Sequence, residues 1–109
     1  MTREEIENAE VGLRFNEGKL QWSQMHYASM APLIRVLEYG AKKYTKGNWQ
    51  KGMCPIAILE CLQRHLAAII DGETKDPESG LPHIGHVMAN AMMYSYYTEV
   101  FPDKALPEK

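Results

Sequence analysis

The sequence has no long apolar run, only two cysteines, no excess of either charge and none of the β-branched alternation that marks a strand. Each absence excludes something. No stretch approaches the ~20 apolar residues of a membrane span, and the opening MTREEIENAEVG lacks the apolar centre of a signal peptide. Twelve Lys and Arg stand against fourteen Asp and Glu, intermixed along the chain, which argues against a broad basic face for duplex nucleic acid. Cys54 and Cys61 lie about two helical turns apart, too far to be bridged without distortion. Reduced thiols and a soluble, cytoplasmic setting are expected. Internal repeats, low-complexity tracts and an interdomain linker are also missing.

What remains is a chain of 109 residues, enough for one domain that buries roughly two thirds of its unfolded surface. Residues 1–12 read as a polar leader, 13–100 as a single helical ligand-binding domain, and 101–109 as a tail. Three helices are expected. The first runs from Ser29, as N-cap, to Lys46, with Pro32 in its opening turn, a buried stripe of Leu33, Val36, Leu37, Gly40, Ala41 and Tyr44, and Gly47 as its stop. Gly40 within that stripe suggests close approach by a helix or a ligand.

Pro55 opens the second helix and Gly72 ends it, with Ile56, Leu59, Leu62, Leu66 and Ile69 as its apolar face and Glu60 and Arg64 placed for an i, i+4 ion pair. The third helix runs from about Pro82 to about Thr98. Ile84, Met88, Ala91, Met92 and Ser95 share one side; His83, His86, Asn90, Tyr94 and Tyr97 share the other. Such a polar-aromatic stripe hydrogen-bonds or binds metal while half buried, so it is expected to face a ligand or a subunit. Seven methionines suggest a plastic core. Three long helices on so short a chain leave a broad apolar face, and an all-α homodimer or homotetramer is expected.

The segment Arg64–Asn90 carries the chemistry. Three of the four histidines fall within twenty-two residues, around a loop holding Asp71, Glu73, Asp76 and Glu78 with Gly72, Pro77, Gly80 and Pro82. The loop brings the two helix ends and their histidines together. Two readings stay open. Imidazoles with one carboxylate bind a transition metal that activates water. Alternatively, carboxylates hold Mg²⁺ bridged to substrate phosphates while His and Arg bind those phosphates directly. Upstream, Arg14 and Lys19 bracket the turn at Asn16-Glu17-Gly18 and are candidate phosphate ligands, and Trp49 in a glycine-flanked loop is either a plug over the core or a stacking surface.

The pieces RFNEGKLQW, LEYGAKKYTKGNWQKG and LQRHLAAIIDGETKDPESGLPHIGHVMANA, in this order, resemble the small phage and prophage proteins described as dATP/dGTP diphosphohydrolase domains. The resemblance implies hydrolysis of a purine deoxynucleoside triphosphate to monophosphate and pyrophosphate, with Mg²⁺, on an all-α scaffold in a phage-infected or prophage-carrying host. On that reading Arg14, Lys19, Lys43 and Arg64 hold phosphates with His83 and His86, Tyr44 or Trp49 stacks on the base, and Asn48 or Asn90 reads its edge. Glu38, Glu60, Glu73 and Asp76 would hold metal, with Glu60, His65 and Asp76 catalytic. One departure stands out. The helical EExxE and ExxD carboxylate ladders of better-known all-α nucleotide pyrophosphohydrolases are replaced by a single E-T-K-D in a loop, Glu73 to Asp76. The sparse carboxylates keep a second expectation alive, a phage sponge that sequesters a nucleotide-derived immune signal without cleaving it.

Overall fold

The computed structural model describes residues 1–108. Its helices are α1 (Arg3–Glu7), α2 (Tyr27–Lys43), α3 (Pro55–Ile70) and α4 (His83–Ser95), and no strand occurs among the described residues. α4 continues into a π-helical turn, Tyr96–Val100. α4 is the central element: it packs against α2 on one side and α3 on the other, while α2 and α3 share few contacts.

That arrangement follows from two small residues. Ala89 is fully buried, and at Gly85 a Cβ would fall 2.5 Å from the Pro32 carbonyl oxygen and 3.1 Å from Val36. Only a glycine lets α2 approach so closely. Leu33, Val36 and Ala89 form the centre of the core, surrounded by Met30, Met88, Met92 and Met93 with Leu37 and Leu81. Unbranched methionines fill the irregular space between helices that cross at small residues, as their number suggested.

Pro55 opens α3 and Gly72, in the left-handed region at φ 93°, follows its end, both as the sequence predicts. The start of α2 differs. The helix begins two residues before Ser29, capped by His26, whose Nδ1 accepts from the Ser29 N–H at 3.2 Å. His26 occupies the extended backbone conformation that a cap requires, and Ser29 is already helical. Pro32 therefore lies inside the helix, beyond its opening turn. The C-terminal end also comes early: α2 stops at Lys43, and Gly47 at φ 78° instead caps the short turn Asn48–Gln50. No atom lies within 4 Å of a Cβ placed on Gly40, so no helix presses on it.

Burial also departs from the expected faces. Ile56 and Leu66 of α3 are exposed, and the face turned to α4 carries Ile58, Cys61, Leu62 and His65. Glu60 and Arg64 are exposed and form no ion pair with each other; in open water such a pair gains too little to hold two long side chains in place. In α4 the polar-aromatic stripe is the inner one: His83 and Tyr97 are buried while Ile84, Ala91 and Ser95 face outward. The buried stripe is tolerable because its polar groups are paired, and no buried side-chain polar atom lacks a partner among the described residues. The Tyr97 hydroxyl donates to the Trp49 carbonyl and accepts from the Gly52 N–H at 2.9 Å, fastening the 47–54 segment to the end of α4. The tail follows the same anchor, with Leu106 N–H donating to the Met53 carbonyl at 2.9 Å.

Residues 1–25 form a separate arm. α1 is closed by a capping box between Thr2 and Glu5 but buries none of its residues. The chain extends over 61 Å with a radius of gyration of 19.7 Å, against about 13 Å for a compact domain of this length.

Candidate functional site

Between α2 and the α3–α4 pair lies an open cleft of about 870 Å³, within the usual range of small-molecule sites. Its outer end is aromatic and basic, with Tyr44 and Lys43 from the end of α2 and Asn48 and Trp49 from the following turn. Its inner end is built from His65, Asp76, Glu78, His86 and Asn90. The Trp49 ring meets Tyr96 edge-on at 4.9 Å, so its orientation is fixed from behind.

The inner end depends on the loop between α3 and α4. The Asp76 N–H donates to the Leu81 carbonyl at 2.8 Å, the Gly80 N–H to the Asp76 carbonyl at 2.7 Å, and the His83 N–H to the Thr74 carbonyl at 2.9 Å. Gly80, at φ 72°, makes the return turn. The loop is thus closed on itself, and it carries Asp76 inward to the two helix ends. Asp76 Oδ2 accepts from the Ser79 N–H at 2.9 Å and from the Ser79 hydroxyl at 2.8 Å. With its proton so committed, Ser79 Oγ accepts from His86 Nε2 at 2.8 Å, and the Asp76 oxygen itself is 3.6 Å from that nitrogen.

His65 and His86 are stacked face to face, 4.3 Å between centroids and 6° from parallel. His65 Nδ1 lies 2.8 Å from Nδ1 of buried His83, and His83 Nε2 lies 2.6 Å from Glu73 Oε1. Burial pushes the His65 pKa below the ordinary 6.5, and the neighbouring His86 pushes it further. Burial lowers His86 as well, with Asp76 only partly opposing. Burial alone would raise Asp76, but the two Ser79 hydrogen bonds and the adjacent imidazoles outweigh it and hold the carboxyl below its ordinary value. At neutral pH the inner end therefore presents neutral imidazoles beside an ionised carboxylate.

The other sequence-predicted residues are dispersed. Lys43 is engaged with Glu78 at 2.7 Å, an ion pair that ties the end of α2 to the loop, and that hydrogen bond raises its pKa. Glu38 lines the cleft from α2. Glu60 and Arg64 do not line it, and Arg14 and Lys19 lie exposed on the arm. Glu73 stands behind His83, outside the cleft wall. Sequence reasoning missed Ser79, which joins Asp76 to His86, and Glu78. The signal was there: an Asp followed three residues later by Ser, around Pro77, is a local side-chain-to-backbone turn.

Over residues 9–104 the chain matches the family described as dATP/dGTP diphosphohydrolase, N-terminal. The chain belongs to that family. A dATP/dGTP diphosphohydrolase of Salmonella phage PMBT28 is 30% identical over 87 residues, 80% of this chain and 29% of that protein. The chain thus spans under a third of the length of this relative. No solved structure matches. The matched segment of the dATP/dGTP diphosphohydrolase family includes α2, α3, the loop and α4, and so contains the whole cleft. No helix of the described residues is long and apolar enough to cross a membrane.

Proposed function

We propose that this chain binds purine deoxynucleoside triphosphates in the α2–α4 cleft and hydrolyses them to monophosphate and pyrophosphate. The observation that carries the reading is the pairing, in one cleft, of an aromatic outer end with an inner end of neutral imidazoles and an ionised Asp76. The name printed for the phage relative, dATP/dGTP diphosphohydrolase, supports the substrate class. Tyr44 or Trp49 stacks on the base, Asn48 or Asn90 reads its edge, and the phosphates reach Lys43 and the His65–His86 pair. Water attacks the α-phosphorus in line, the bond to the bridging oxygen breaks, and that oxygen leaves with pyrophosphate. His65, neutral and facing the cleft, accepts the proton of the attacking water, and Asp76 stabilises the charge that develops on the stacked imidazoles.

An oxygen-only cage for Mg²⁺ does not fit this end of the cleft. Glu38 and Glu60 sit on different helices, Glu60 lies outside the cleft, and Glu73 and Asp76 are bonded to His83 and Ser79. In this reading Mg²⁺ enters on the triphosphate. The test is chromatography of purine deoxynucleoside triphosphates after incubation with the protein, with and without Mg²⁺. Monophosphate and pyrophosphate are expected. Bound nucleotide recovered intact after heat release would replace the hydrolase with the sponge.

The active form is proposed to be a homo-oligomer in which the arm of one copy covers another. The described chain exposes 8600 Å², against about 6100 Å² for a compact monomer of this mass. Val11, Phe15, Leu20 and Trp22 on the arm are all mostly exposed. Such apolar side chains gain by packing on a second copy, and the arm would carry Arg14 and Lys19 with it. Light scattering on the purified chain is expected to give a multiple of the 12.4 kDa protomer mass; a monomer would refute the assembly.

A further inference from the structure

Behind the cleft, one feature is left unused by hydrolysis as described. His83 is buried, yet its Nδ1 points at another Nδ1, that of His65, 2.8 Å away. Its far nitrogen, Nε2, is 2.6 Å from Glu73. A carboxylate accepts from Nε2, and in the neutral ring that leaves Nδ1 with a lone pair. Carboxylate, imidazole and an inward lone pair in sequence is the arrangement by which proteins orient a metal-ligating histidine. The His65 and His83 nitrogens and a carboxylate oxygen of Asp76 lie within 4.8 Å of one another. Two imidazole nitrogens bound to one ion at ~2.1 Å stand about 3.0 to 3.4 Å apart, depending on coordination angle, so a small outward shift admits an ion between them.

We propose that His65 Nδ1, His83 Nδ1 and an Asp76 carboxylate oxygen form a binding site for a divalent transition ion, with Glu73 orienting His83. Two imidazole nitrogens and one oxygen select an ion of intermediate softness, such as Co²⁺ or Zn²⁺, over Mg²⁺. His65 and Asp76 line the cleft, so the ion's open coordination positions face the space assigned to phosphates. Without an ion, the close Nδ1 pair places a proton on His65 Nδ1 and leaves Nε2 as the base; an ion would move that proton to Nε2, and the ion would then activate the attacking water in place of His65.

The test is calorimetric titration of chelator-treated protein with Mn²⁺, Zn²⁺ and Mg²⁺, paired with the visible spectrum of the Co²⁺-loaded chain. One ion per chain is expected, with Zn²⁺ at least 100-fold tighter than Mg²⁺ and a Co²⁺ spectrum showing nitrogen ligation. His65→Asn should abolish that selectivity, Glu73→Gln should weaken binding about 10- to 100-fold, and His26→Ala, remote from the cluster on the cap of α2, should leave it unchanged. Absence of saturable binding to the folded wild-type chain, equal affinity for Mg²⁺, or His65→Asn binding as tightly as wild type would each overturn the site. The spectrum and titration need no variant, so loss of folding in one of them does not protect the proposal. Binding is read without turnover: an ion held by a chain that hydrolyses nothing would sink the proposed hydrolase and leave the metal site standing.

Discussion

Residues 1–25 and the α2–α4 body obey different rules. In the arm every signal is local: Thr2 caps α1 through a reciprocal capping box with Glu5, and Arg3 pairs with Glu7 one turn on at 3.2 Å. Yet α1 buries nothing. In the body local signals are overridden. His26 displaces Ser29 as cap, and the α4 stripe expected to face a ligand or a subunit turns in on its own chain, with His83 and Tyr97 buried. Local hydrogen bonds can shape a helix, but only packing on other elements gives it a stable place in the molecule.

The largest test of this contrast is Gly85→Ala. Its Cβ would meet backbone, which cannot turn aside, so α2 and α4 must separate. A loss of about 3 kcal/mol is expected, read as a drop in the denaturation midpoint. A shift below a quarter of that would mean α2 is not seated on α4 as described. Tyr97→Phe comes next: it leaves the Trp49 carbonyl and Gly52 N–H without their shared hydroxyl, costing about 1 to 2 kcal/mol. Because it also frees the segment holding Trp49, nucleotide affinity should fall with it.

Smaller and graded is the response to pH. His65 and His86 have pKa values below 6.5 in the fold, so on acidification the unfolded chain takes up protons first. In chelator-treated protein their contribution is complete above pH 6.5 and is lost as pH falls through and below that value. Asp76, lowered from 3.8, adds a second loss in more acid solution, as pH falls through its folded pKa. Melting temperature against pH should bend in that order, and a flat curve between pH 7 and 5 would contradict the buried imidazoles. Least of all should Thr2→Ala matter: in the body's melting transition it should change stability by under about 0.5 kcal/mol. A larger loss would show that α1 melts together with the body, although it buries none of its own residues.

Some of the site was legible without the fold. Gly72, Pro77, Gly80 and Pro82 announced a loop that folds back, and the histidines on either side were placed to meet; His65 and His83 do meet. What stayed hidden was what the polar-aromatic face of α4 packs against. His83, Asn90 and Tyr97 were readable as half buried, but not their partners, Glu73, Cys61 and the Trp49 carbonyl. Lys43 was readable as a basic group but not as the partner of Glu78, thirty-five residues away.

The sequence by itself determined the helical class, the termini written by Pro55 and Gly72, and the unbridged cysteines, because each rests on backbone sterics or on spacing within a few turns. The tertiary structure alone decided that α4 stands between α2 and α3, that its polar stripe faces inward, and that Asp76, His65, His83 and His86 share one end of a cleft. Those outcomes depend on shape: the missing side chain at Gly85 sets how closely two helices approach, and hydrogen bonds across many residues make the burial of imidazoles affordable.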